Sequence, residues 1–371
     1  MPRYARMLSE GMNRRGHQTE IVKPNPQFFD MPVPTGMRKW MGYIDQYVMF
    51  PRQVKSWLRT SQQDTLFVFT DHALGPWVPL VKDRPHIIHC HDFLAQRSAL
   101  GEIPEHSTKL SGRLYQAFIR RGYAQGKNFV SVSHRTKGDL HRFLSLPPTL
   151  SEVIYNGLNQ SFSPENPDKA RRTLAEKTGI DLSAGYLLHV GGNEWYKNRL
   201  GVIEIYNAWR LAGGPKIPLL LVGKTPNHEI MQMYCQSPFK NEIHFLSGLE
   251  DEFVRFAYTG ASVFLFPSLA EGFGWPIAEA MASGCPVITT DEAPMTEVGG
   301  DAAFYIPKKP LESASVASWA MKGAKAVDDI FALPPPKRKC LMDSSITNAK
   351  RFDPDVALDK IEEIYKSVLY R

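Results

Sequence analysis

The sequence predicts an α/β protein built from two doubly wound halves, each a parallel sheet covered by helices on both faces. Short apolar runs alternate with helical patterns along the chain, most regularly in its second half, and strands that alternate with helices pair in parallel. Residues 157–167 combine Gly, Asn, Ser and Pro, which is linker chemistry. The length of 371 residues suits two or three domains.

The elements follow in order. Residues 3–15 carry Tyr4, Met7, Leu8 and Met12 at helical spacing. Arg14, Arg15 and Gly16 end that helix, and Thr19–Val22 reads as a short strand. A doubly wound domain normally opens on a strand, so with a helix in first place the expectation is either that the first strand is missing or that Met1 is an internal start. Leu66–Phe69, His86–Cys90, Phe129–Val132 and Glu152–Ile154 are further strands, with a helix over Gly112–Tyr123. In the second half the strands are Tyr186–Val190, Leu219–Val222, Ile243–Leu246, Ser262–Phe266, Pro286–Thr290 and Ala303–Ile306. Leu200–Leu211 and Pro276–Ser283 are helical. Asp353-Pro354 reads as an N-cap followed by proline at the first helical position. The last helix sets Ala357, Ile361, Ile364 and Val368 on one face. The domains are expected at 1–160, completed by the C-terminal helix 354–371, and at 161–353.

Hydrophobic residues make up 43% and charged residues 22%, an ordinary globular composition that excludes disordered and collagen-like classes. Cysteines at 90, 235, 285 and 340 are too widely spaced for a disulfide framework or a zinc knuckle. No signal peptide or apolar run of about 18 residues is present, so a cytoplasmic protein is expected. The net charge of +6 equals the excess within Arg97–Arg142, which holds nine Lys/Arg and three Asp/Glu. A patch of that sign suits anionic lipid, nucleic acid or a phosphorylated substrate, and equally a solvated helix face. No nucleic-acid motif accompanies it.

Three segments carry chemistry. In PSLAEGFGWPIAEAMASGCPVITT, residues 267–290, a strand feeds a glycine-containing loop and then a helix. Ligands of open α/β sheets sit at the carboxyl ends of strands, and a helix N-terminus offers free N–H groups to phosphate. Gly272 and Gly274 allow backbone to approach a ligand closely. Glu271 lies in the loop, within reach of a ligand's reacting end. Glu279, one turn into the helix, is able to accept two hydrogen bonds from a vicinal diol such as ribose. Two glutamates eight residues apart define no chemistry alone. In YLLHVGGNEWYKNRLGVIEIYNAWR, residues 186–210, Gly191-Gly192 turn the chain after a strand, and Lys197 precedes a helix that begins near Asn198. An ammonium there suits a diphosphate, although a lysine at a helix start is most often a surface residue. In PHIIHCHDFLA, His86, His89, His91 and Asp92 cluster at a strand end. This admits a metal-dependent hydrolase centred on His89 and His91. Such a barrel needs ligands at later strand ends, for which His189 and His244 are candidates. Asp353-Pro-Asp355 matches a DxD metal motif, but its place at a helix cap favours a structural role.

The 267–290 segment, with both glutamates, resembles the nucleotide-sugar-binding segment of glycosyltransferase family 4, retaining enzymes of the GT-B fold. The resemblance implies two facing Rossmann-like domains with the last helix crossing back to the first. It covers nearly the whole chain, strongly over 186–307 and weakly over 1–160. The family's usual N-terminus is a strand, a Gly-rich loop and a helix ending RGHEV. RRGHQTEIV matches that ending, and the earlier strand and loop have no counterpart here. The resemblance assigns catalytic roles to Glu271, Lys197 and His91. Donor contacts are expected from Glu279, Gly272, Phe273, Gly274, Trp275, Gly191, Gly192, Asn193, Asn198 and Lys224, with backbone at Gly248 and Leu249 against the base. The family commonly has an arginine where Gly192 stands, so backbone N–H groups, Asn193 or Lys224 are expected to compensate.

The resemblance thus implies a retaining, metal-independent transfer from a UDP- or GDP-linked sugar to a glycan or lipid-linked acceptor of the bacterial cell envelope. No separate cofactor and no nucleic acid are expected. Peripheral contact with anionic membrane is expected through 97–142. A nucleotide-sugar epimerase or a phosphorylase of the same fold is the nearest alternative.

Overall fold

The computed structural model describes residues 2–59, 64–158 and 162–370. The first half runs α1 (Pro2–Arg14), α2 (Thr35–Ile44), a π-helical turn (Asp45–Met49), α3 (Phe50–Leu58), β1 (Phe67–Phe69), a 3-10 segment (His72–Leu80) and β2 (His86–Cys90). It continues through α4 (Leu94–Ala99), α5 (Leu110–Tyr123), β3 (Asn128–Ser131), α6 (His134–Phe143) and β4 (Leu150–Val153). The four strands pair in parallel in the order β1-β2-β3-β4.

The second half runs α7 (Pro167–Thr178), β5 (Leu187–Gly191), α8 (Arg199–Leu211), β6 (Leu219–Gly223), α9 (His228–Gln236), β7 (Ile243–Ser247), α10 (Asp251–Gly260) and β8 (Val263–Phe266). Then come α11 (Trp275–Ala282), β9 (Val287–Thr290), α12 (Met295–Gly299), β10 (Ala303–Ile306), α13 (Ser313–Phe331), α14 (Pro335–Ala349) and α15 (Pro354–Leu369). Its six strands are all parallel, in the order β10-β9-β8-β5-β6-β7. Leu187, Leu188, Leu219, Leu220, Val263 and Phe264 are fully buried, as strands covered on both faces require. Most strands lie within a residue or two of their expected bounds, because continuous apolar runs of this length fit only a buried strand here.

Thr19–Val22 is not a strand. A cleft of about 690 Å³ separates it from the free edge of β1, with Leu8, Met12, Val54, Trp57 and Phe67 among its walls. An extended segment with no ladder partner cannot be a strand, and Ile21 and Val22 stay exposed. The last helix does cross back. Ala357, Leu358, Ile361 and Tyr365 of α15 pack with Tyr4, Leu8 and Met12 of α1 and with Ile87, Val130 and Ile154 beneath. Asp353 Oδ1 caps α15 by accepting from the N–H groups of Asp355 and Val356, so the DxD triplet is a helix start. The linker residues 159–161 lie outside the described residues. Beside them the backbone crosses twice between the halves, where the Leu158 N–H donates to the Phe352 carbonyl at 2.9 Å.

Candidate active site

The order of the six-stranded sheet reverses at β5: β6 and β7 lie on one side, β8 to β10 on the other. The carboxyl ends of β5 and β8 therefore flank a crevice, the position where open α/β sheets bind ligands. Two loops enter it, residues 192–198 after β5 and 267–274 after β8. They meet at Lys197 and Glu271: Lys197 Nζ donates to Glu271 Oε1 at 2.8 Å. Ser268 Oγ donates to the same oxygen at 2.7 Å. Asn198 holds the two loops together. It sits at φ +51°, a left-handed conformation that Asn tolerates. Its Oδ1 accepts from the Gly201 N–H to cap α8, and its Nδ2 donates to the Pro267 carbonyl at 2.8 Å.

Behind this pair lies a second layer. A Cβ at Gly191 would stand 2.9 Å from His189 Nε2, so glycine keeps the strand end flush with the buried ring. His189 Nδ1 bonds the Leu265 carbonyl, and burial lowers its pKa to about 3. Asn193 Nδ2 donates to the Thr225 carbonyl at 2.6 Å, while its Oδ1 accepts from Arg199 Nη1. Lys224 points to Glu194, with Nζ–Oε1 at 2.7 Å, and is mostly exposed. Arg199 was not legible as a site residue. It is 3% exposed, and its Nη1 also donates to the Lys224 carbonyl, tying the loop after β5 to the loop after β6. Its Nε and Nη2 have no hydrogen-bond partner among the described residues, its guanidinium lies over the Phe245 ring at 5.4 Å, and burial lowers its pKa to about 10. Its place directly after the cap Asn198 was the only signal available.

α11 starts at Trp275, with Gly274 at φ +104° as its N-cap; Pro276 has no N–H and the Ile277 N–H donates to the Gly274 carbonyl at 3.0 Å, which leaves the Trp275 N–H and the positive end of the helix dipole at the crevice end of β8. Phe273 is buried against Tyr155 and Phe352, which makes its side chain part of the core, and Trp275 is half-buried beside it. Glu279 Oε2 accepts from the Tyr258 hydroxyl of α10 at 2.8 Å. Burial raises the Glu279 pKa, against the lowering effect of Tyr258 and Lys197. Gly248, at φ +75°, and Leu249 form the turn between β7 and α10.

The first half closes on this crevice. A Cβ at Gly272 would collide with the His91 carbonyl. Ser133 Oγ donates to the Gly272 carbonyl at 2.8 Å. Glu297 of α12 caps α6 across the junction, accepting from the N–H groups of His134 at 2.7 Å and Arg135 at 2.8 Å. Between the halves a pocket of about 40 Å³ is lined by Glu271, Arg97, Arg135, Glu105 and Lys308. His91 is half-buried, with Nε2 against the Thr70 carbonyl at 2.9 Å. Burial lowers its pKa, with Asp71 acting in the opposite sense.

The metal-hydrolase alternative does not survive this geometry. Among the described residues the two sheets are open and form no (β/α)₈ barrel. His89 Nδ1 faces the Tyr4 hydroxyl at 2.9 Å and Nε2 the Tyr365 hydroxyl at 2.8 Å, so both ring nitrogens are engaged inside the core. Among the described residues no three His, Cys, Asp or Glu side chains are grouped to hold a metal ion. What the crevice does offer is a lysine, the positive end of a helix dipole and two partly buried carboxylates, a set that suits a diphosphate carrying hydroxylated rings.

The chain matches two family models, glycosyltransferase family 4 over residues 1–162 and glycosyl transferases group 1 over residues 170–321. It is 25% identical to O-antigen chain mannosyltransferase B of Escherichia coli over 274 residues, which is 73% of this chain and 69% of that protein. Among solved structures, Anabaena Alr3699/HepE in complex with UDP and glucose matches with a TM-score of 0.68 at 19% identity, over 96% of this chain and 88% of that one. WaaG, a glycosyltransferase involved in lipopolysaccharide biosynthesis, matches with a TM-score of 0.68 at 17% identity, over 98% and 95%.

Proposed function

Since the chain belongs to glycosyltransferase family 4 and has the GT-B fold, we propose that this glycosyltransferase moves a hexose, with retention of configuration and without a metal, from a UDP- or GDP-linked sugar to a glycan or lipid-linked acceptor of the cell envelope. The observation that carries the reading is the Lys197–Glu271 pair at 2.8 Å, set in the crevice where the strand order reverses. Lys197, the backbone N–H groups after Gly191 and the start of α11 take the diphosphate charge that grows as the C1–O bond to phosphate breaks. Glu271 orients the donor sugar, and Glu279 holds the ribose. The turn at Gly248 and Leu249 supports the base, and His91 touches the sugar or the acceptor from the facing half. The acceptor oxygen bonds to C1 on the face the diphosphate leaves, and its proton passes to the departing phosphate oxygen. No protein nucleophile is required.

Gly272 packs directly on the His91 carbonyl and accepts from Ser133 of the facing half, so the halves separate to admit substrates and close for transfer. O-antigen mannosyl transfer by the Escherichia coli relative and the UDP and glucose bound by the Anabaena protein support a nucleotide-sugar donor and an envelope glycan. Calorimetry against UDP- and GDP-sugars, followed by NMR of the product's anomeric proton, tests the reading. An inverted product, activity abolished by chelator, or turnover of the donor sugar without any acceptor overturns it.

A further inference from the structure

We infer that α2, α3 and α5 form a platform that docks on an anionic bilayer, with Trp40 and the Leu110–Leu114–Phe118 row inserted at the headgroup level. The inference gives a location to the membrane contact that a lipid-linked acceptor calls for, and rests on that reading for its biological purpose alone. α5 turns Leu110, Leu114 and Phe118, spaced four residues apart, outward at 73%, 64% and 47% exposure. α2 adds Met37 at 49% and Trp40 at 66%. The two helices make one face. The Tyr47 hydroxyl bonds the Tyr115 hydroxyl at 2.8 Å, the Tyr47 ring meets Phe118 edge-on at 5.5 Å, and Trp40 stands 5.9 Å from Tyr43. Contiguous apolar exposure of this kind marks an interaction surface, and aromatic rings with a polar edge suit the boundary between water and lipid.

Charge selects the partner. α2, α3 and α5 contain no acidic residue. Between them Asp45 is 3% exposed, and its carboxylate is used by the N–H groups of Phe28 and Phe29. The same helices carry Arg38, Lys39, Arg52 and Lys55, and on α5 Arg113, Arg120 and Arg121. The basic stretch 97–142 proves to be two populations. Arg97, Arg135 and Arg142 pair with Glu102 or Asp139, and Glu105 pairs with Lys308. Those pairs consume all the acidic residues of the stretch, so the α5 cations have no carboxylate partner among the described residues. A face of one sign over three helices, studded with apolar and aromatic side chains, complements an anionic lipid surface. A protein partner would have to supply an equally unbroken acidic face.

Sedimentation of the full chain with vesicles tests this. Phosphatidylcholine vesicles with and without about one third phosphatidylglycerol are the probes, at low and high salt. Binding to the anionic vesicles is expected to be at least tenfold tighter than to pure phosphatidylcholine, and to weaken with salt. Lys39→Glu/Arg113→Glu/Arg121→Glu is expected to lose that tenfold, and Trp40→Ala/Leu114→Ala to weaken binding without removing its salt dependence. Lys169→Glu/Arg172→Glu on α7, in the other half, serves as the charge control and is expected to bind as the parent does. Nucleotide-sugar affinity and the circular dichroism spectrum are expected to be unchanged in every variant, which separates failure of the platform from failure of the donor site. Equal binding to both vesicle types, no binding, or an equal loss in the α7 control overturns the inference. Loss of a protein complex in the platform variant, with no vesicle binding by the parent, overturns it in favour of a protein partner.

Discussion

Lys197 and Glu271, 74 positions apart, form an ion pair of 2.8 Å at the point where the six-stranded sheet changes direction. Their side chains are 15% and 8% exposed, so the pair works in a partly dry setting where charge acts strongly. Glu271→Gln keeps an acceptor for the Lys197 ammonium and the Ser268 hydroxyl while removing the charge. Its kcat is expected to fall about 10²- to 10³-fold, the usual size for loss of one preorganised electrostatic contact. Nucleotide affinity is expected to hold. A kcat within threefold of the parent refutes the role of Glu271.

Glu279 accepts from Tyr258 and has a pKa raised by burial. Its ribose contact requires the carboxylate. Because the pKa is raised, protonation on acidification begins at a higher pH than for an ordinary glutamate, and nucleotide affinity is expected to fall there. Glu279→Ala is expected to weaken nucleotide binding about 10- to 100-fold, the loss of hydrogen bonds to a charged group, with the fold intact. Calorimetric titration across pH checks both statements. Unchanged affinity in Glu279→Ala sinks the assignment.

His89 links α1 to α15 through Tyr4 and Tyr365. Burial first, then the neighbouring His91, lowers its pKa to about 3. The folded chain therefore holds it neutral, while the unfolded chain takes up a proton below about pH 6.5. The stability that His89 contributes is present above pH 6.5 and is lost as pH falls toward 3, at about 1.4 kcal/mol per pH unit. Urea denaturation at several pH values is expected to show this slope, and His89→Gln to reduce it. An unaltered slope in the variant would place the acid sensitivity elsewhere.

Gly272 touches the facing half through backbone. A methyl group there would meet the His91 carbonyl, which has no side-chain freedom to move aside. Gly272→Ala is expected to hold the halves apart. Transfer is expected to drop about 10²-fold, the cost of a misplacement of roughly 1 Å, and the radius of gyration by small-angle scattering to increase in the presence of donor. Full activity would show that closure does not run through this contact.

Local pattern was enough for much of the molecule. The apolar runs of β5, β6, β8 and β9 bury every side chain they carry except near the ends, and a run of that kind has one solution in a layered fold. Asp353-Pro354 named its own helix start, because capping needs only the next two or three residues. The motif order likewise placed Lys197 and Glu271 in loops after strands and Glu279 one turn into a helix, where the structure has them.

Contacts between distant residues were decided only by the tertiary structure. Thr19–Val22 has the composition of a strand but no neighbour to pair with, and a strand exists only as part of a ladder. His89 reads as a metal ligand until Tyr4 and Tyr365 arrive from opposite ends of the chain to occupy both nitrogens. Arg199 looks like a surface residue until two loops close over it. The basic stretch 97–142 divides into paired and unpaired arginines only when Glu102 and Asp139 come to lie beside three of them. Sequence pattern determines elements because their hydrogen bonds and apolar faces repeat at short range. Which side chains share a site depends on how the sheets stack those elements, which no short-range period encodes.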